Sequence, residues 1–164
     1  ILLPDCDSIQ FINCRFFGDR FHLTCEYAKE LIIEKCLIED CKNGFLITRN
    51  INRIAIIESK ILNCEGESIF LPTSMNNIYV ETFQMKKCTV HNVINNSHNY
   101  YSFDKGVIAT RMQCMQLLAE DNCCSGCREC NVSSQDCSFF GDAAVCEAKN
   151  NHITGEVTKM TKYE

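Results

Sequence analysis

The chain has no apolar run approaching the ~20 residues that a membrane helix requires, so no span is expected in this segment. It has no basic stripe either. Its lysines and arginines are scattered, and a net charge of -5 with a pI near 5.4 argues against nucleic acid as a partner. Also missing are a G-x-S-x-G elbow, an H-E-x-x-H helix, a P-loop and a dinucleotide fingerprint. His22, His91, His98 and His152 stand beside no Ser or Cys nucleophile in a recognisable motif. No catalytic residue, metal ligand or cofactor is therefore assigned, and no enzymatic activity is expected. The opening residues ILLPDC lack an initiator Met and a basic segment before an apolar one, which reads as a mature or excised ectodomain.

What the chain has in excess is cysteine, 14 in 164 residues. That density exceeds what a reduced cytosolic domain usually carries and points to disulfides in an oxidising compartment. Asn95 and Asn131 each begin an N-glycosylation acceptor triplet, which agrees with a secreted or cell-surface location. At 46% hydrophobic and 23% charged residues, the composition supports one packed domain rather than disorder.

An internal repeat sets the architecture. A template of apolar residues at positions i, i+2 and i+7, with Cys or a substitute at i+5, fits Ile9, Phe11, Cys14 and Phe16. It fits again at Leu31, Ile33, Cys36 and Ile38, at Ile54, Ile56, Ser59 and Ile61, and at Ile78, Val80, Phe83 and Met85. The starts are spaced by 22, 23 and 24 residues. Polar turns follow the first three strands, and each leads into a returning apolar pair that begins at Phe21, Phe45 or Ile69. Such units bury their apolar faces only by stacking on their neighbours. Cys41, Cys64 and Cys88 recur after the last apolar position of their repeats and are expected to form one column of buried thiols or neighbouring disulfides.

The spacing resembles that of extracellular cysteine-rich leucine-rich repeats over residues 6 to 90. Cys6, Ala28, Ile51 and Met75 fill the leading position, and Cys14 and Cys36 fill the inward Asn/Cys slot. Ser59 and Phe83 depart from the usual slot residues. The resemblance implies a repeat solenoid, a leucine-rich-repeat-like stack of about four strand-turn units with a parallel β-sheet. The alternative is a right-handed parallel β-helix, because Phe21-x-Leu23, Phe45-x-Ile47 and Ile69-x-Leu71 alternate as second strands would.

Residues 1–90 form the repeat part in this reading. Residues 91–146 supply a loop, a short helix over 110–123 suggested by Met112, Met115, Leu118 and Ala119, and a cysteine-rich cap. Residues 147–164 are a polar tail expected to fray. The disulfide candidates are Cys6, Cys14 and Cys25 in the repeats, and Cys114, Cys123, Cys124, Cys127, Cys130, Cys137 and Cys146 toward the cap. Cys124-x-x-Cys127-x-x-Cys130 has a spacing also seen in metal sites, but an oxidising compartment favours disulfides. The cap usual after extracellular leucine-rich repeats uses a Trp, which this chain lacks.

A repeat sheet offers a surface. Strand alternation places Ile12, Ile32, Ala55, Ile57 and Tyr79 outward as an apolar stripe, with Glu34, Glu58 and Glu81 aligned beside it. The function expected from this is extracellular recognition of a protein ligand or receptor, or of a second copy of the chain, with Ile12, Ile32, Glu34, Ala55, Ile57, Tyr79 and Glu81 as contact residues. Two alternatives belong to other classes. One is a β-helix domain that binds or cleaves carbohydrate with Glu34, Glu58 or Glu81. The other is an extracellular structural protein cross-linked through its cysteines.

Overall fold

The computed structural model describes residues 1–3, 5–18, 21–42, 45–66, 70–72, 79–95, 113–127, 140 and 142–154. Every element among them is a strand, and every strand pair is parallel. The first sheet contains β1 (Leu2–Leu3), β2 (Cys6–Ile12), β4 (Phe21–Glu34), β6 (Phe45–Ile57), β9 (Phe70–Pro72), β10 (Tyr79–Lys86), β13 (Gln113–Glu120) and β15 (Asp142–Lys149). Its main path runs β1-β4-β6-β10-β13-β15, with β2 paired to β4 and β9 to β6. The second sheet is six-stranded and consists of β3 (Arg15–Phe17), β5 (Leu37–Glu39), β7 (Lys60–Leu62), β11 (Thr89–His91), β14 (Cys123–Ser125) and β16 (His152–Thr154). A third, small sheet pairs β8 (Glu65–Gly66) with β12 (Ile94–Asn95). A long strand, a corner and a short strand thus recur down the chain, an arrangement compatible with a β-solenoid.

Register shows which residues stack. In the first sheet Ile9 lies on Leu31, Leu31 on Ile54, Ile54 on Phe83, Phe83 on Leu117 and Leu117 on Cys146. In the second, Phe16, Ile38, Ile61, Val90, Cys124 and Ile153 form the facing column. Leu31, Ile54, Phe83, Leu117, Ile38, Ile61, Val90 and Cys124 are all buried, and the two columns belong to one hydrophobic core. Each buried aliphatic or aromatic side chain contributes on the order of 1.5–3 kcal/mol.

The fourth unit corrects the sequence expectation. Phe83, rather than Ile78, stacks on Ile54, so the true unit reads Phe83, Met85, Cys88 and Val90. The template fits at both offsets because Ile78, Val80, Phe83 and Met85 happen to share its spacing. Ile78 and Met75 lie outside the described residues. Cys88 consequently leaves the column of Cys41 and Cys64 and joins that of Cys14, Cys36 and Ser59. Of the returning segments, Phe21 pairs with Phe45 as expected, and Phe45 pairs with Phe70, one residue beyond Ile69.

The helix expected over 110–123 is a strand from Gln113 to Glu120. Cys114, Leu117 and Ala119 are buried while Met115 is exposed, the same inward triad that Val80, Phe83 and Met85 supply one unit earlier. Pairing on both edges with β10 and β15 outweighs a helical spacing of Met and Leu. The two sheets continue past residue 90 through β13 to β16, and β15 and β16 occupy part of the expected polar tail.

Corners have a common geometry. Asn13, Lys35, Glu58, Lys87, Asp121 and Asn150 follow the long strands with φ between 49° and 56°. Asp40, Asn63 and Asn92 follow the short strands with φ of 52° to 53°, and Gly18 and Gly126 hold the equivalent positions at 111° and 63°. This left-handed conformation turns the chain without breaking the ladder. Asn13 N–H donates to the Glu34 carbonyl at 3.0 Å, Lys35 to Ile57 at 3.0 Å, and Glu58 to Lys86 at 2.9 Å. Asn and Gly tolerate the conformation, whereas Lys and Glu carry a cost of ~1–2 kcal/mol.

Inside the first corner a side-chain column satisfies the backbone. Cys14 N–H donates to Cys36 Sγ at 3.4 Å, and Cys36 N–H donates to Ser59 Oγ at 3.1 Å. Cys88 N–H donates to Asn122 Oδ1 at 2.9 Å, and Asn122 N–H donates to Asn151 Oδ1 at 3.1 Å. Asn122 Nδ2 also donates to the Met85 carbonyl, and Asn151 Nδ2 to that of Ala119. Cysteine, serine and asparagine are thus interchangeable here because each is short and offers both an acceptor and a donor.

Replacing Glu58 with Gly is expected to stabilise the protein by ~1 kcal/mol, since the corner keeps its backbone bond and loses its strain. Chemical denaturation should show a higher midpoint at unchanged slope; a lower midpoint would mean that the Glu58 side chain contributes more than the corner costs.

Candidate functional site

The outward side of the first sheet is built by the same register as the core. One column runs Gln10, Ile32, Ala55, Gln84, Leu118 and Glu147; the next runs Ile12, Glu34, Ile57, Lys86, Glu120 and Lys149. Ile12 is 48% exposed, while Ile32 and Ile57 are half-buried. These three isoleucines lie on one outer face across β2, β4 and β6, with Glu34 between Ile12 and Ile57. Ala55 does not join them as a contact: at 0% exposure it lies sunk between Ile32 and Gln84 of the adjoining strands. The side chain of Tyr79 lies outside the described residues.

The acids do not form the expected ladder. Glu34 is half-buried on β4, with Lys35 Nζ 3.4 Å from its carboxylate. Glu58 occupies a corner with φ 49°, and the exposed Glu81 stands five positions before Lys86, the residue that actually continues the Glu34 column. The physical reason is the offset of the fourth unit, which moves Glu81 away from its expected neighbours. No aligned carboxylate set therefore exists at Glu34, Glu58 and Glu81.

A polar network flanks the isoleucines instead. Gln10 Nε2 donates to Ser8 Oγ at 3.2 Å, and Ser8 Oγ donates to Glu30 Oε1 at 3.0 Å. Arg53 spans the next step, donating from Nη1 to Glu30 Oε2 at 3.0 Å and from Nη2 to Gln84 Oε1 at 2.8 Å. Lys86 and Glu120 pair at 2.8 Å farther along, a contact that raises the Lys86 pKa through hydrogen bonding and charge. Exposed pairs of this kind contribute little stability individually, but they fix side chains beside Ile12, Ile32 and Ile57.

The second sheet also presents an outward face. Arg15 lies 5.3 Å from the centroid of the Phe17 ring and also binds Glu39, and Phe17 is 71% exposed. His91 Nδ1 and Ser125 Oγ are 2.9 Å apart, and Cys123 is exposed in register with His152. The signal was present in the tripeptides RFF, LIE, KIL, TVH, CCS and HIT, each with its middle residue inward. Among the described residues no group of three or more His, Cys, Asp or Glu side chains could hold a metal ion.

Most cysteines expected in disulfides are thiols. Cys6, Cys14, Cys123, Cys124 and Cys127 are unbonded, as are Cys36, Cys41, Cys64 and Cys88. The core claims Cys124 and Cys127 for packing, and the first corner claims Cys14 for its side-chain column. Cys114 likewise faces the core and is not disulfide-bonded. Cys146 is disulfide-bonded. Cys130, Cys137 and Asn131 lie outside the described residues, as do the side chains of Cys25 and Asn95. Cys64 donates a hydrogen bond to Cys41, which pushes the Cys64 thiol up, with burial adding to the effect, and lowers that of Cys41. Burial, with a smaller push from the Glu58 carboxylate, raises Cys88 to about 11, and burial dominates the upward shift at Cys36, Cys124 and Cys127.

No protein-family model, no curated protein and no solved structure matches this chain.

Folding lifts Cys88 from 9.0 to about 11, so the folded state keeps a proton that the unfolded chain releases first. Its contribution is present below pH 9 and is lost as pH rises toward 11, a decline on the order of 3 kcal/mol. A urea titration across that window should show the decline reduced in Cys88→Ser relative to the parent chain; equal declines would contradict the assignment.

Proposed function

We propose that this chain is a short parallel β-helix that serves as an extracellular recognition module and binds a protein ligand or receptor through the outward face of its first sheet. Ile12, Ile32 and Ile57 on one outer sheet face, with Glu34 set between Ile12 and Ile57 and the Glu30–Arg53–Gln84 network alongside, carry this reading. Apolar side chains gathered on an outer sheet face supply desolvation, and fixed polar groups around them supply orientation. The second sheet in every unit, together with β8 and β12, supports the β-helix over the leucine-rich-repeat alternative, whose resemblance rests on the Cys14 and Cys36 slot. Secretion is supported by the cysteine content, the disulfide at Cys146 and the acceptor triplets at Asn95 and Asn131.

The double substitution Ile12→Asp and Ile57→Lys tests the face directly. Wild-type chain immobilised as bait is expected to retain partner protein from a cell-surface extract, and the double variant is expected to lose at least tenfold of it while melting at the same temperature. Equal retention by both chains would remove this reading.

A second reading, carbohydrate binding, rests on a different surface. Phe17 presents an exposed ring beside the Arg15–Glu39 pair, the combination of an apolar platform and hydrogen-bonding groups that a sugar face uses. A glycan array probed with wild type and Phe17→Ala distinguishes the two: signals lost in Phe17→Ala favour the sugar, and an array silent for both dismisses it.

A further inference from the structure

Cys14 and Cys36 occupy the same corner position on successive units. The strands that follow them pair in register, Arg15 on Leu37 through Phe17 on Glu39. Leu37 N–H donates to the Cys14 carbonyl at 2.9 Å, and Cys14 N–H donates to Cys36 Sγ at 3.4 Å. The two backbones are therefore at the spacing of neighbouring strands, ~4.8 Å, which lies within the ~4.4–6.8 Å between Cα atoms that a disulfide spans. The deeper sulfur already rests against the backbone of the shallower residue.

The pair is also unequal in access. Cys14 is half-buried on the outermost unit, whereas Cys36 is 3% exposed and its thiol faces the Phe11 carbonyl at 3.2 Å. We infer that Cys14 and Cys36 are a disulfide-forming pair, in which Cys14 reacts with a small disulfide such as oxidised glutathione and Cys36 resolves the product. In the first step the Cys14 thiolate attacks one glutathione sulfur, forming the mixed disulfide and releasing one reduced glutathione. The Cys36 sulfur then attacks the Cys14 sulfur, and the second glutathione leaves and takes up a proton. Two protein thiols are oxidised, one glutathione disulfide is reduced to two thiols, and one bond staples the first two units. Burial raises the Cys36 pKa, which disfavours its attack on a disulfide in solution; beside the Cys14 mixed disulfide its proton passes to the departing glutathione thiolate as the Cys36 sulfur attacks.

Cys41 and Cys64 form a contrasting pair. They hydrogen-bond to each other, but both are fully buried and neither is open to a reagent of glutathione size. Cys123, exposed on the second sheet, has no cysteine as its register partner: Thr89 and His152 flank it. It should simply retain glutathione, which makes it an internal control.

The test incubates the folded full chain with oxidised glutathione, blocks remaining thiols with iodoacetamide and maps the peptides by mass spectrometry. Wild type should yield a Cys14–Cys36 linked peptide with no glutathione on Cys14, and glutathione on Cys123. Cys36→Ser should trap glutathione on Cys14; Ser59 already fills the same column, so serine suits the slot. The oxidised wild type should melt ~5–10 °C above its reduced form. Glutathione retained on Cys14 in wild type, linkage of Cys14 to another cysteine, or Cys14 left unmodified beside a modified Cys123 would each overturn the assignment. Should Cys36→Ser fail to fold, the wild-type peptide map alone decides.

Discussion

The structure depends on a backbone hydrogen bond that does not stop at the corners. Where Asn13, Lys35 and Glu58 turn the chain, their N–H groups still donate to the carbonyls of the next unit at 3.0, 3.0 and 2.9 Å. Because the ladder runs through the bend, one unit cannot slide along another without losing bonds in both sheets. Register becomes rigid, and inward residues must fall on inward residues. A core of continuous columns is the outcome: Leu31 over Ile54 over Phe83 on one side, Ile38 over Ile61 over Val90 on the other.

Rigid register also decides what the corner slot can hold. A residue there must accept an N–H from the preceding unit and return a hydrogen to a nearby carbonyl, within a space that excludes water. Ser59 does this with Oγ, Asn122 with its two amide atoms, and Cys36 and Cys88 with sulfur. The cysteines of this column are thus explained by local backbone chemistry before any redox role is considered. Many thiols in a chain do not by themselves announce many disulfides.

Much of this was legible in the sequence. The 22- and 23-residue spacing, the inward Leu31, Ile33 and Ile38, and the slot at Cys14, Cys36 and Ser59 all emerge from periodicity. Three things were not. The fourth unit begins with Phe83 because a longer connection precedes it, and period counting alone cannot tell an insertion from a shifted match. The strand at Gln113–Glu120 buries Cys114 and Ala119, residues with a weak apolar signal, whereas its Met and Leu residues mimic a helical stripe. The outward face failed in the same way: Ala55 and Glu81 were placed by alternation, but burial depends on the length of neighbouring side chains and alignment depends on the offset of the fourth unit. Ile12, Ile32 and Ile57, all within the first three units, landed where alternation placed them.

Continuous pairing has a further consequence for how such a chain can change length. Successive residues in the Leu31 column are separated by 23 positions to Ile54, 29 to Phe83, 34 to Leu117 and 29 to Cys146. The excess sits wholly in the connections between a short strand and the next long one, while the tract from each long strand through its corner to the short strand keeps the same count. Insertions and deletions are therefore concentrated in one quadrant of each turn. Elsewhere, growth or loss comes as an entire layer, or as a single residue absorbed in a bulge, as between Thr24 and Tyr27 of β4, beyond which the pairing with β6 resumes in phase.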